Sequence, residues 1–182
     1  MEPYAITTDN LPLEALRFVM ERHHGQVRKY TGEPYLSHLA EVAGLVATVT
    51  RAPGVIAAAY LHDIIEDTPT TIDEVAARFG PPVARMVAEL TDVSTAADGN
   101  RAQRKARDRD HLAGASAAAQ TIKAADVVSN ASSIVGHDPD FAQMYVPEKE
   151  AVVGVLTRAD ARLLAVARSV LHEARRNLPQ SA

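Results

Sequence analysis

The spacing of apolar residues restricts the fold of this chain more than any other feature, because they recur at intervals of three and four. Leu13, Leu16, Val19 and Met20 form one such stripe, and similar stripes follow along the sequence. No stretch alternates apolar and polar residues for long enough to indicate a half-buried strand. Alanine, the strongest helix former, is abundant, and glycine is scarce. The pattern predicts an all-α protein, a compact bundle of many helices.

Glycine, proline and polar segments divide the chain into predicted helices. The first ends at Gly25, and a short one begins at Thr71, whose spacing to Glu74 matches a capping box, and ends at Gly80. Further helices are predicted over 36–50, 55–67, 101–112, 117–135 and 152–177, and another begins at the proline pair 81–82. The segment 55–67 is apolar almost all round and is expected at the centre, whereas the alternating charges of 101–112 indicate an exposed helix. Without repeats or linkers, 1–182 is predicted to be one domain with a polar tail at 178–182.

Charge and composition exclude several classes of function. The chain has 182 residues, a net charge of −4 and no cysteine. The mild acidity disfavours nucleic-acid and membrane surfaces, which need a basic face. Without cysteine, histidine and carboxylates are the candidate strong metal ligands. The absence of an apolar run of membrane-spanning length and of a signal-like N-terminus predicts a cytoplasmic protein, but the oligomeric state is left open.

The strongest chemical signal is His62-Asp63, which lies with Glu66 and Asp67 inside an otherwise apolar run. Buried ionisable groups are costly unless they are paired or bind a metal. On a helix, Glu66 and Asp67 follow His62 and Asp63 by one turn, so that the acids could contact metal-bound water. The alternative is a helix end at which Glu66 and Asp67 are simply exposed to solvent.

Two further residues are candidate metal ligands. His38 opens a predicted helix, although a single histidine in that position is more often a satisfied structural residue. Asp126 lies in an apolar helical segment, where an unpaired carboxylate would be expensive. Lys123 could be its partner, and Asn130, one turn later, could orient Asp126 or a bound substrate.

The order His38, His62-Asp63, Asp126 resembles the HD-domain metal-dependent phosphohydrolases. More narrowly, the chain is similar to the hydrolase branch of the RelA/SpoT alarmone enzymes, and most similar to their small, single-domain, hydrolase-only members. The resemblance rests on segments in matching order along most of the chain: 24–29 (HGQVRK), 32–38 (GEPYLSH), 61–68 (LHDIIEDT), 104–105 (RK) and 123–126 (KAAD) with Asn130. At this length, the chain is expected to contain no synthetase or regulatory domain.

The resemblance implies a role for each group of site residues. It implies Mn²⁺ held by His38, His62, Asp63 and Asp126, with Glu66 and Asp67 as the catalytic acids. It also implies substrate binding by Arg28, Lys29, Arg104, Lys105 and Asn130. Without the resemblance, Arg28 and Lys29 are read as solvated loop charges, and Arg104 and Lys105 equally well as a solvated helix face. His23 is interpreted as shaping the pocket, Ser133, Tyr145 and Lys149 are weaker candidates, and His111, His137 and His172 are expected on the surface.

The expected partner is a small nucleotide, and the expected activity is Mn²⁺-dependent guanosine 3′,5′-bis(diphosphate) 3′-pyrophosphohydrolysis, which releases pyrophosphate and GDP or GTP. Two alternatives remain. One is a phosphatase acting on an adenosine alarmone or NADPH, and the other is a nucleotide-binding module without turnover. Departures from the family pattern at Leu39, Ala124 and Ala131-Ser132 concern the shape of the pocket, and therefore substrate choice, rather than the ligand set.

Overall fold

The computed structural model describes residues 10–178, apart from the side chains of Ser132, Ser133 and Val135. The α-helices follow in chain order as α1 Leu11–Arg22, α2 Tyr35–Ala47, α3 Pro53–Tyr60, α4 Ile64–Asp67, α5 Ile72–Phe79, α6 Pro81–Leu90, α7 Arg101–Gly114, α8 Ala117–His137, α9 Pro139–Val155 and α10 Ala161–Asn177. A 3₁₀ turn at Ala96–Asp98 precedes α7, and Val27 and Pro34 form an isolated bridge. Between residues 10 and 178 there is no β-strand, so the predicted all-α class is confirmed.

Helix α8 is the central element of the bundle. It packs against α2, α3, α6, α9 and α10, and most of its side chains from Ala119 to Ala131 are buried. Many of them are alanine or valine, and small side chains allow neighbouring helices to approach closely. One cluster of buried apolar residues extends from Ala15 on α1 to Ala174 on α10. No helix within the described range is long and apolar enough to cross a membrane.

Side-chain caps begin several of these helices. Ser116 Oγ accepts from the Ala119 amide at 3.2 Å at the start of α8, and Asn100 caps α7 in the same way. Thr71 Oγ1 accepts from the Glu74 amide, as expected, but the Glu74 carboxylate pairs with Arg22 on α1. Gly80 joins α5 to α6 at φ +88°, a conformation that residues with a side chain rarely adopt.

The single helix predicted over 55–67 is wrong, because the chain turns between α3 and α4 at residues 61–63. In a continuous helix, adjacent side chains point about 100° apart. The turn instead brings His62 Nε2 within 3.0 Å of Asp63 Oδ2. It also frees the Ala59 carbonyl from its helical partner, and His62 Nδ1 bonds to that oxygen at 2.8 Å. The helix is therefore interrupted where both side chains meet at one point.

The single final helix predicted over 152–177 is also wrong, because α9 ends at Val155 and α10 begins at Ala161. Side chains of α8 bind the backbone of the break: Gln120 Oε1 accepts from the Arg158 amide, and Thr121 Oγ1 accepts from the Asp160 amide. The Asp160 side chain then caps α10. These tertiary hydrogen bonds compensate for the helical bonds that the break removes.

Helix α7 is largely exposed, as predicted, but Asp108 and Leu112 on it are buried. The Asp108 carboxylate accepts from the Val93 and Ser94 amides at 3.1 and 2.9 Å and from Ser94 Oγ at 2.9 Å. Asp108 therefore holds the connection between α6 and α7 in place.

Candidate active site

The four residues that the sequence suggests as metal ligands come together from three parts of the fold. His38 lies on α2, His62 and Asp63 occupy the turn before α4, and Asp126 lies on α8. The His38 and His62 Nε2 atoms are 3.2 Å apart. Asp63 Oδ2 lies 3.5 Å and Asp126 Oδ1 also 3.5 Å from His38 Nε2. One ligand atom each from His38, His62 and Asp126 lies within 4.8 Å of the others, which makes this group capable of holding a metal ion.

The other nitrogen of each imidazole orients the ring. His62 Nδ1 donates to the Ala59 carbonyl, which cannot donate in return, so its Nε2 carries the free lone pair of the neutral ring. His38 Nδ1 lies 2.8 Å from Ser129 Oγ, whose hydroxyl donates to Glu41 Oε2 at 2.6 Å, so His38 Nδ1 carries the hydrogen. In its neutral form each ring thus directs a lone pair at the same point, as metal-binding histidines do.

The charges of the site favour a cation at that point. Burial lowers the pKa of His62, but the carboxylates of Asp63 and Asp126 outweigh this effect and raise that pKa to about 9. Burial raises the pKa of Asp63, but the two imidazoles outweigh it and hold that pKa well below its usual range. Two facing lone pairs beside two carboxylates repel one another unless a proton or a metal ion lies among them. This donor set therefore fits a divalent ion.

Asp126 has two partners that hold its carboxylate. Lys123 Nζ, one turn earlier on α8, forms an ion pair with Asp126 Oδ2 at 2.9 Å. Asn130 Nδ2 donates to Asp126 Oδ1 at 2.6 Å. Burial acts to raise the pKa of Asp126, but Lys123 in particular lowers it below the usual range. The carboxylate is therefore ionised and fixed, with Lys123 as the partner that burial requires.

Tyr35 links the site to α1. Its hydroxyl donates to Asp63 Oδ2 at 2.5 Å, and burial raises the pKa of Tyr35, so that the hydroxyl keeps its proton. The buried His23 ring stacks on Tyr35 with 5.3 Å between ring centroids, and its Nδ1 bonds to Gln26 Oε1. Gln26 Nε2 in turn donates to the Asp67 carbonyl at 2.9 Å. His23 thus supports the tyrosine that contacts Asp63.

The two predicted catalytic acids occupy different surroundings. Glu66 lines a cavity together with Asp63 and Asp126, and its Oε1 accepts from the Asp92 amide at 2.7 Å. Asp67 follows at the end of α4 and is not part of that cavity wall. Partial desolvation raises the pKa of both carboxyls, aided by Asp63 in each case. Of the pair, Glu66 faces the space that a substrate can enter.

Two adjoining cavities form the substrate-sized space. The first, of about 210 Å³, contains the metal-site carboxylates, Glu66 and Lys123. The second, of about 360 Å³, has Phe141 and Tyr145 on its wall, with 5.9 Å between their ring centroids. Both cavities share the wall residues Lys105, Arg109, Asn130, Lys149 and Val152. A volume of this size is typical of small-molecule sites.

The predicted substrate-binding residues lie at different distances from these cavities. Lys105 and Asn130 line both, whereas Arg104 lines a neighbouring depression and bonds to the Gly99 carbonyl. Arg28 lies behind Asn130, with its Nη2 3.5 Å from Asn130 Oδ1. Lys29 is exposed at the edge, with its Nζ 5.7 Å from the Phe141 ring centroid. The Ser133 side chain lies outside the described residues.

The sequence did not assign three residues to the site, which are Ser129, Tyr35 and Arg109, and it gave Lys123 only a structural role. Ser129 and Tyr35 orient ligands, while Arg109 and Lys123 line the first cavity, the latter anticipated only as a partner for Asp126. Tyr35 lies within the segment 32–38 on which the resemblance rests, and Ser129 immediately precedes the candidate residue Asn130. Their positions in the sequence could therefore have suggested both residues. Arg109 lies in the alternating charges of α7, where nothing distinguishes it from its exposed neighbours. His137 and His172 are exposed, as expected.

Comparison with known proteins identifies the family. A model described as HD domain matches residues 15–149. The chain therefore belongs to the HD domain family, and the resemblance found in the sequence is confirmed.

Several of its relatives carry hydrolase names. The chain is 36% identical over 121 residues to the Mus musculus guanosine-3′,5′-bis(diphosphate) 3′-pyrophosphohydrolase MESH1, covering 65% of this chain and 66% of the mouse protein. It is 41% identical over 71 residues to a probable guanosine-3′,5′-bis(diphosphate) 3′-pyrophosphohydrolase of Synechocystis, covering 39% of this chain and only 9% of that protein.

A solved structure extends the likeness over nearly the whole fold. It is that of a metazoan ortholog of SpoT that hydrolyzes ppGpp, which superposes with a TM-score of 0.80 at 28% identity. The match covers 93% of this chain and 98% of that one. The expectation of an HD-domain bundle is confirmed.

Proposed function

We propose that this protein is a Mn²⁺-dependent guanosine 3′,5′-bis(diphosphate) 3′-pyrophosphohydrolase that releases pyrophosphate and GDP, or GTP from the pentaphosphate. The observation that carries the proposal is the convergence of His38, His62, Asp63 and Asp126 on one point, beside Glu66 on the same cavity wall. The names of the relatives and the family membership favour this substrate class. One apolar core from α1 to α10 supports a single hydrolase domain.

The donor set supports Mn²⁺ as the metal. Two imidazole nitrogens and two carboxylates form a mixed N/O set of the kind that this ion accepts. The chemistry that the ion supplies when bound is a lowered pKa of water and polarisation of a phosphoryl oxygen. The facing lone pairs of His38 and His62 are the local reason why a cation belongs there.

Glu66 is proposed as the group that removes the proton from the attacking water. It lines the cavity, and its raised pKa makes it a stronger base than an ordinary carboxylate. The water oxygen forms a bond to the phosphorus next to the 3′ oxygen, and the bond between that phosphorus and the 3′ oxygen breaks. The 3′ oxygen takes up a proton from bulk water, the proton on Glu66 returns to bulk water, and pyrophosphate leaves. Asp67, at the end of α4, remains the second proposed catalytic acid.

Nucleotide binding is proposed for the second cavity. Phe141, which is only partly buried, offers aromatic surface on which a base can stack, and the buried Tyr145 ring lies beside it. Lys105 and Asn130, on the wall between the two cavities, lie where a bound nucleotide would pass. Arg28 contacts Asn130 and is proposed to orient it. Lys29 and Arg104 are proposed substrate contacts at the edge of the second cavity.

The test is a product analysis with ppGpp and MnCl₂. We expect GDP and pyrophosphate in equal amounts, loss of activity in EDTA, and loss in Asp63→Asn with an unchanged helical circular dichroism spectrum. Asp73→Asn, an exposed residue on α5, is the matched control. A folded, metal-loaded protein that forms no GDP and pyrophosphate overturns the proposal. Orthophosphate release from NADPH or an adenosine nucleotide would identify a phosphatase instead.

A further inference from the structure

Two cations on the wall between the cavities form no ion pair with a carboxylate of the described residues, although Asp126 and Asp92 act on Lys149 from a longer distance. Arg109 on α7 and Lys149 on α9 are half-buried and line both cavities. Within the part of the chain that the structure describes, neither side chain forms a hydrogen bond or an ion pair. Lys149 Nζ lies over the Tyr145 ring, 5.4 Å from its centroid. Partial burial of a charged side chain without an ion-pair partner costs free energy, so the positions of these two side chains need an explanation.

Their neighbours show that pairing is the rule in this region. Arg101 binds Glu148 through two nitrogens, each at 2.8 Å. Lys105 lies 2.7 Å from Asp92 Oδ2. The surrounding cations are thus neutralised within the protein, and Arg109 and Lys149 are the exceptions on the same wall.

The charges of the two cavities differ in sign. The first is lined by five carboxylates and four cations, the carboxylates being Asp63, Glu66, Asp92, Asp108 and Asp126 and the cations Lys105, Arg109, Lys123 and Lys149. The second has one carboxylate, Glu148, against four cations, which are Arg101, Lys105, Arg109 and Lys149. The first cavity therefore suits a metal ion, and the second suits an anion.

A buried hydroxyl supplies an independent observation. Tyr145 is 5% exposed and lines the second cavity, and its Oη has no hydrogen-bond partner among the described residues. A buried hydroxyl without a partner costs free energy, and a ligand oxygen would satisfy it. Both the free donor and the free cations therefore point to an anionic ligand that the protein itself does not supply.

We propose that Arg109 and Lys149 bind the phosphate group that is not cleaved, and that they thereby select nucleotides phosphorylated at two positions. This inference rests on the proposed function, which places the cleaved diphosphate at the first cavity. The second phosphate group then lies across the shared wall. Lys149 supplies a point charge, and Arg109 can contact two phosphate oxygens at once.

The kinetic test combines a side-chain change with a substrate change. Lys149→Gln and Arg109→Gln are compared with wild type on ppGpp and on guanosine 3′-diphosphate, which has a free 5′ hydroxyl. We expect each variant to raise KM for ppGpp about 10- to 100-fold, the effect of losing one charge-assisted hydrogen bond, and to change KM for the truncated substrate less than threefold. Arg168→Gln, exposed on α10, removes the same charge and should change neither value. An equal change on both substrates, or none, overturns the proposal.

A binding measurement separates this inference from the proposed activity. GDP, which carries only the 5′ diphosphate, is titrated calorimetrically in EDTA, with guanosine as the uncharged comparison. We expect Lys149→Gln to weaken GDP binding at least tenfold, and Lys149→Arg to retain it. If ppGpp is not hydrolysed at all but GDP binding still depends on Lys149, the result supports the anion site and contradicts the proposed activity. If GDP binds equally to the wild type and to both glutamine variants, the proposed anion site is wrong, whether or not the protein hydrolyses ppGpp.

Discussion

His38 and His62 direct their Nε2 atoms at each other across 3.2 Å, while each Nδ1 is engaged inside the protein. The arrangement places two lone pairs and two carboxylates around one point. A positive charge at that point relieves the repulsion between these groups. The folded protein therefore presents a preorganised site for a cation.

Metal binding should stabilise the fold measurably. Because the ligands converge only in the folded chain, Mn²⁺ at 100 times its Kd should add about 2.7 kcal/mol and raise Tm by about 5–11 °C. Scanning calorimetry with MnCl₂ and with EDTA measures this shift. His62→Ala should abolish it, whereas Asp73→Asn should retain it. An equal Tm for wild type in both solutions would contradict the assigned metal site.

Much of this site could be predicted from the sequence, because residue types that are costly to bury stand out in apolar segments. His62, Asp63 and Asp126 were conspicuous for that reason, and the resemblance supplied His38. The Lys123–Asp126 pair followed from the same reasoning, since one turn of a helix separates the two residues. Long-range partners such as Ser129 and Tyr35 could not be predicted, because their roles depend on which helices become neighbours.

The errors in the helix boundaries have a similar origin. The break at 61–63 lies in an apolar run whose composition favours a continuous helix, and it is compensated by the His62 contact with the Ala59 carbonyl. The break before α10 is stabilised by Gln120 and Thr121, about 40 positions away. Local patterns report helical propensity, but these breaks depend on tertiary hydrogen bonds. Asp160, a good N-cap residue, was the one local signal available.

Glu66→Gln should lower kcat with little change in metal binding. The amide keeps an oxygen that can accept from the Asp92 amide, but it cannot take a proton from water. Loss of a general base reduces the rate by about 10²- to 10⁴-fold. Steady-state kinetics measures kcat, and the Mn²⁺-induced rise in Tm checks the metal site in the same preparation. A kcat within threefold of wild type would remove Glu66 from the role of base.

Tyr35→Phe should weaken metal binding without unfolding the protein. The variant loses the 2.5 Å hydrogen bond to Asp63 Oδ2, while the ring can still stack on His23. Loss of such an outer partner reduces metal affinity about 10- to 100-fold. Calorimetric titration with MnCl₂ measures the affinity directly. Tyr60→Phe, at the end of α3, is the matched control and should bind the metal as wild type does. Equal affinities for all three proteins would show that Tyr35 does not position Asp63.

Asp108→Asn should destabilise the fold in a way that depends on pH. The buried carboxylate accepts from two backbone amides and one hydroxyl, and an asparagine amide group would place a donor against these donors. We expect a loss of about 1–3 kcal/mol in the free energy of unfolding at pH 7, measured by urea denaturation.

The pH dependence of this loss follows from the pKa of Asp108. Burial alone would raise it, but the hydrogen bonds from Ser94 outweigh burial and lower it below the value in the unfolded chain, about 3.9. The stabilisation is therefore complete above that value and is lost as the pH falls through the lowered pKa of the folded state. The difference between wild type and Asp108→Asn should shrink below about pH 4. Asp110→Asn, exposed on the same helix, should show neither effect, and a difference that stays constant down to pH 2 would contradict the assignment.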